Sequence, residues 1–232
     1  MLTFENVEIG QGDFSLKANF ETCTGVTAVI GPSGAGKSTL LNAVAGFVAG
    51  PGAIMLDGTR IDLLPPAKRP VSMLFQDNNL FPHLTVRENV GLGLRLNRRL
   101  SVTEQAEVTK VLSQVGLAGM EDRKPAALSG GQQSRAALAR TLLAGQPIAL
   151  LDEPFSALGP GLKDEMLDLM RRTLARVADC TILMVTHDPS DAKRIADQVI
   201  WVSEGIASAP VATAALFANP PASLRHYLGE MG

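Results

Sequence analysis

Apolar residues in this chain gather into short, nearly unbroken runs, each closed by polar or small residues. Val26-Thr27-Ala28-Val29-Ile30 leads straight into Gly31. Val71-Ser72-Met73-Leu74-Phe75 stops at Gln76, Ile148-Ala149-Leu150-Leu151 at Asp152-Glu153, and Thr181-Ile182-Leu183-Met184-Val185 at Thr186-His187. Gln198-Val199-Ile200-Trp201-Val202 ends near Gly205. Runs that lack polar alternation predict strands buried on both faces, hence a largely parallel sheet covered by helices, an α/β architecture. Ligands of such open sheets bind beyond the carboxyl ends of the strands. Most of these runs end on a residue able to do chemistry, so the pattern alone converges on one site.

Helical spacing fills the intervals. Lys37 to Val48 carries Leu40, Leu41 and Val44 on one face, and Gln132 to Ala144 is a second helical segment. Leu162 to Val177 places Leu162, Met166, Leu169, Met170 and Leu174 at helical intervals. Ala53 to Lys68, with Asp57-Gly58 as its turn, reads as a β-hairpin and loop. From about Asp77 to Ser129 no buried strand is apparent, which predicts a helical lobe inserted into the α/β core. The tail from Ala207 to Gly232 is rich in Ala and Pro and carries no recognisable chemistry.

Composition narrows the classes. With 232 residues and 46% apolar content the chain can bury a substantial core, and a net charge of -2 offers no basic field for nucleic acid. Met1 to Asn6 lacks the features of a secretory signal. The best candidate for a membrane span, Leu142 to Leu151, is interrupted by Gly145, Gln146 and Pro147, so any membrane role is expected to come through a partner. Cys23 and Cys180 form no metal-ligand pattern and read as free thiols of a reducing compartment.

Two segments read as anion sites. Gly31-Pro32-Ser33-Gly34-Ala35-Gly36-Lys37-Ser38-Thr39 lies between a predicted strand and a predicted helix, the context of a P-loop. There Gly34 and Gly36 let the backbone approach a phosphate, Lys37 reaches the β- and γ-phosphates of ATP, and Ser38 faces Mg²⁺. Leu128-Ser129-Gly130-Gly131-Gln132 puts small residues at a predicted helix N-terminus, a second place for an anion. Asp152 suits the magnesium role of a Walker-B aspartate, and Glu153 is placed to act as general base on the attacking water. His187 is placed to bond the γ-phosphate and orient Glu153, and Gln76 to reach Mg²⁺ or the attacking water.

These elements, in this order and together with Ser156-Ala157-Leu158, resemble those of ATP-binding cassette (ABC) ATPases. The resemblance spans most of the chain. It implies a single ABC ATPase domain over residues 1–232, with an N-terminal antiparallel β element and a helical subdomain at about 77–134 that includes the signature. It also implies a head-to-tail homodimer in which two ATP molecules lie between the P-loop of one copy and Ser129, Gly130 and Gly131 of the other. In importers of this family a transmembrane permease docks beside Gln76 at the cytoplasmic face of the inner membrane, and a solute-binding protein acts indirectly. A finer resemblance, over Lys68 to Val86 and Asn89 to Leu94, is to the ATPase subunit of bacterial thiamine importers. An importer for molybdate, iron or an amino acid is the nearest alternative, and a non-transport ABC protein a further one. Three features depart from the family pattern. Gly159 stands where an aspartate is usual, Gln133-Ser134-Arg135 follows the signature, and no aromatic residue stands out to stack on adenine. Phe14 alternates with Leu16 as strand residues do and is assigned to the core.

Overall fold

A computed structural model describes residues 1–12, 14–77, 79–94, 99–156, 158–174 and 180–229. Ala157 of the Ser156-Ala157-Leu158 element, the last turn of the helix predicted to reach Val177, and the end of the tail lie outside the described residues, as do Asp13 and Asn78. The strands are β1 (Leu2–Gln11), β2 (Phe14–Thr22), β3 (Gly25–Ile30), β4 (Ala53–Leu56), β5 (Thr59–Arg60), β6 (Val71–Leu74), β7 (Ile148–Asp152), β8 (Thr181–Val185), β9 (Gln198–Ser203), β10 (Ile206–Ala207) and β11 (Val211–Ala212). The helices are α1 (Lys37–Ala45), α2 (Val86–Gly91), α3 (Val102–Gln114), α4 (Gly130–Leu143), α5 (Pro160–Leu174), α6 (Pro189–Ile195), α7 (Thr213–Ala218) and α8 (Ala222–Tyr227). Contacts divide the chain into two compact units, one of residues 1–71, 147–153 and 179–232, the other of residues 72–146 and 154–178.

The first unit is built on a sheet whose centre is parallel. β9, β3, β8 and β7 lie side by side in that order, all in the same direction. All five residues of β8 are buried, as are the first four of β7, which accounts for the unbroken apolar runs. Towards the N-terminus the sheet becomes antiparallel: β1 pairs with β2 and with β4, and β4 with β5. β2 alternates buried and exposed residues along its second half, as a strand with one face in water should. The helix after the P-loop is shorter than its apolar pattern suggests. It ends at Ala45, where the Gly46 N–H turns back to the carbonyls of Asn42 and Ala43.

The tail is part of this core. Leu216 of α7 and Leu224 of α8 are buried with Ala28 and Ile30 of β3, Ala192 of α6, and Val199 and Trp201 of β9. Arg69 supplies another tie. Its guanidinium is buried and donates to the carbonyls of Ala43 and Val44 at the end of α1, and to those of Asp62 and Leu64. A cation there meets carbonyls of the last helical turn, at the negative end of the helix dipole.

The second unit is mainly helical, and no described residue between Asp77 and Ser129 forms a strand. Val86 and Val90 of α2, Val108 and Leu112 of α3, and Ala136 and Ala139 of α4 form its core with Val115, Leu117 and Leu128. Capping boxes start all three of these helices, Thr85 with Glu88, Ser101 with Glu104 and Ser129 with Gln132. The loop before α2 is held by Asn89, fully buried, whose amide accepts from the Phe81 N–H and donates to the carbonyls of Phe81, Leu84 and Thr85.

Candidate active site

Three neighbouring parallel strands deliver the site. Register places Val29 of β3, Val185 of β8 and Asp152 of β7 in one row. Just beyond it the Glu153 N–H donates to the Val185 carbonyl at 3.1 Å and the Thr186 N–H to the Val29 carbonyl at 3.2 Å. The P-loop, the acidic pair and the His187 turn therefore leave one edge of the sheet together.

Both space and backbone conformation call for glycine in the P-loop. A Cβ on Gly31 would lie 2.0 Å from the Val202 carbonyl oxygen, so any side chain would strike the β9 backbone. Gly36 is the N-cap of α1 at φ 105°, a conformation that L side chains avoid. Lys37 follows, buried, with Nζ donating to the carbonyls of Gly31 at 2.9 Å and Pro32 at 2.8 Å. Burial pushes the Lys37 ammonium below its ordinary range, opposed by the negative charges of Glu153 and Asp152.

Ser38 Oγ donates to Asp152 Oδ1 at 3.0 Å. Burial raises the Asp152 pKa, the Ser38 hydrogen bond lowers it, Glu153 raises it and Lys37 lowers it, and the net direction is up. Among the described residues no group of three or more His, Cys, Asp or Glu could hold a metal. One hydroxyl and one carboxylate side by side instead suit Mg²⁺, which keeps water and takes phosphate oxygens to complete its shell.

Glu153 Oε2 lies 3.1 Å from His187 Nδ1. The backbone of Glu153 stands at φ 45°, a left-handed conformation costly for a residue with a side chain. The turn carrying His187 is itself fastened. Thr186 Oγ1 donates to Oδ2 of the buried Asp191 at 2.6 Å and accepts from the Asp188 N–H at 3.1 Å. Sequence reasoning passed over Thr186 and Asp191, although Asp188-Pro189, an N-cap followed by proline at the first helical position, was a readable start for α6.

Lys37, Ser38, Asp152, Glu153 and His187 thus come together in the first unit. Gln76 lies in the second, exposed, two residues beyond the end of β6. The signature is also in the second unit, where Ser129 and Gln132 form a capping box: the Ser129 N–H donates to Gln132 Oε1 and the Gln132 N–H to Ser129 Oγ. This leaves Gly130 and Gly131 as the first two helical positions, whose N–H groups have no acceptor within the helix. Gly131 also lets α4 close on α5, since a Cβ there would meet Leu162 Cδ2 at 2.4 Å. The assignment of Phe14 to the core does not hold. It is half-buried at the start of β2, with its ring against the P-loop: a Cβ on Gly36 would lie 2.7 Å from Phe14 Cζ.

Comparison with known proteins identifies the family. The family described as ABC transporter matches residues 17–156. The chain is 56% identical to the thiamine import ATP-binding protein ThiQ of Cereibacter sphaeroides over 99% of its own length and 100% of that protein's. It is 54% identical to the ThiQ of Ruegeria sp. (strain TM1040), again over 99% and 100%. Among solved structures it resembles the dimeric post-hydrolysis state of the ATP-binding cassette MJ0796 bound to ADP and Pi. The TM-score is 0.77 at 27% identity, covering 92% of this chain and 99% of that one.

Proposed function

The chain belongs to the ABC transporter family, and from that membership we propose that it is the ATP-hydrolysing subunit of a bacterial thiamine importer. The observation that carries the hydrolytic part is the cluster of Lys37, Ser38, Asp152, Glu153 and His187 at the ends of three adjacent parallel strands. The solute is supported by the full-length similarity to proteins named for thiamine import.

In this reading the N–H groups at the start of α1 cradle the β- and γ-phosphates of ATP, and Lys37 supplies the cation aimed at them. Ser38 and Asp152 hold Mg²⁺, which neutralises charge on the phosphate oxygens. Glu153 takes a proton from the attacking water. His187 steadies that carboxylate through Nδ1 and leaves Nε2 to face the terminal phosphate. For Gln76, contact with the metal or the water rests on the family resemblance alone. The N–H groups of Gly130 and Gly131 bind the γ-phosphate held by a second copy, so two ATP molecules join a head-to-tail homodimer.

No helix among the described residues is long and apolar enough to cross a membrane. The subunit is placed at the cytoplasmic face of the inner membrane by a permease that docks near Gln76 and the helical unit. The test is ATPase activity in vesicles carrying the subunit together with a thiamine permease and its solute-binding protein. Thiamine should stimulate hydrolysis while molybdate, iron and amino acids do not. Stimulation by one of those solutes and not by thiamine would overturn the assignment.

A further inference from the structure

The C-terminal helix α8 is fastened to the sheet at three points. Leu224 is fully buried against β3 and β9 residues. Ser223 Oγ accepts from Trp201 Nε1 at 3.1 Å. The Tyr227 ring packs on Trp201 with centroids 5.2 Å apart. These contacts account for the docking of the helix. They do not account for the last one: the Tyr227 hydroxyl donates to the backbone carbonyl of His187 at 2.6 Å.

We propose that Tyr227 is a positioning residue for ATP hydrolysis, fixing the peptide that carries His187 so that its imidazole stays on Glu153. The inference rests on the ATPase reading above. The His187 side chain is 59% exposed, so packing does little to hold the ring. Its direction depends on the backbone beneath it. On the N-terminal side that backbone is held by the Thr186 N–H on Val29, and on the C-terminal side by the Asp188 N–H on Thr186 Oγ1. The His187 carbonyl between them is held by Tyr227. Without that bond the peptide between His187 and Asp188 keeps its anchor at the Asp188 N–H but loses the one at the carbonyl, and a tilt about the remaining anchor moves the ring relative to Oε2 of Glu153. Burial raises the Tyr227 pKa above the ordinary phenol range, and the negative charges of Asp188 and Glu153 act in the same direction. An alanine- and proline-rich tail with no chemistry of its own thus reaches the hydrolytic centre through one hydroxyl.

Tyr227→Phe removes the hydroxyl and keeps the ring on Trp201. Ser223→Ala breaks the neighbouring tie of the same helix without touching the His187 turn. Steady-state hydrolysis by the full chain should show kcat reduced about three- to tenfold in Tyr227→Phe with KM for ATP unchanged, the size of one lost neutral hydrogen bond felt in the transition state. Ser223→Ala should retain the wild-type kcat. In single-turnover measurements on a His187→Ala background, Tyr227→Phe should cost nothing further, because its effect passes through that residue. An unchanged kcat in Tyr227→Phe would overturn the inference. So would equal losses in Tyr227→Phe and Ser223→Ala, or an undiminished loss on the His187→Ala background. Hydrolysis by the wild type that is lost in Lys37→Ala upholds the ATPase reading whichever of these is found. A wild type without hydrolysis would remove both.

Discussion

The left-handed backbone at Glu153 has a measurable cost, and two substitutions isolate it. At φ 45° a Cβ crowds the neighbouring carbonyl oxygen, a strain of roughly 1–2 kcal/mol. The residue cannot relax, because its N–H is bonded to Val185 and it directly follows β7. Glu153→Ala removes the carboxylate but keeps Cβ and the strain. Glu153→Gly removes both, at the cost of about 0.4–1 kcal/mol of added freedom in the unfolded chain. Both variants lose the like charge beside Asp152, so that contribution cancels between them. The glycine variant should therefore be the more stable by roughly 1 kcal/mol, about 2–4 °C in Tm for a chain of this size. Both should lose hydrolysis by about 10²–10⁴-fold with the base gone. Scanning calorimetry on the two proteins side by side, with an ATPase assay on each, is the experiment. An alanine variant that melts at or above the glycine variant would refute the strain at this position.

Lys37→Ala should abolish hydrolysis and strongly weaken ATP binding in a nucleotide titration; turnover near the wild-type rate would remove the P-loop reading. Gly159→Asp should be tolerated, because a Cβ there meets nothing within 4 Å, its φ lies outside the left-handed region, and its carbonyl accepts from the Lys163 N–H as a helix N-cap. Aspartate at an N-cap gains a few tenths of a kcal/mol over glycine, so Tm should hold or rise slightly while the Hill coefficient for ATP increases; a lower Tm with unchanged cooperativity would contradict this. Asp152→Asn should raise Tm at neutral pH while ending Mg²⁺-dependent hydrolysis. The folded-state pKa of Asp152 lies above the ordinary 3.8, chiefly through burial, so its ionised form opposes folding and that penalty is lifted as pH falls through the raised value towards 3.8. The Tm advantage of the variant should accordingly shrink over that acidic window, and an advantage that grows there would show the shift to run the other way.

The central strands were legible because burial on both faces leaves an unbroken apolar signature, and the P-loop because phosphate binding demands glycine, lysine and serine at fixed spacing. Asp152, Glu153 and His187 could be found by following strand ends. Their mutual geometry could not, since the register of β7 on β8 and of β8 on β3 is long-range. Phe14 was misjudged: alternation with Leu16 correctly identified a strand, but position at the strand's first residue sets its ring on Gly36 rather than in the core. The end of α1 was overrun because Phe47 and Val48 extend the apolar pattern past Gly46, and periodicity is blind to a backbone that has already turned. The left-handed Glu153 leaves no trace in residue type. Arg69 and Tyr227 each act through bonds to backbone carbonyls distant in sequence, and such acceptors are the same at every residue, so nothing in the sequence singles them out.

The claim that ATP is held between two copies is tested most directly by the mass of the Glu153→Gln variant in solution. With the base replaced and the phosphate contacts intact, ATP and Mg²⁺ should accumulate the closed form, since two nucleotides bound across the interface stabilise it by mass action. Light scattering on the eluting protein should show a dimer with ATP and Mg²⁺ and a monomer with ADP. A variant that binds ATP at saturation and remains monomeric would contradict the shared site.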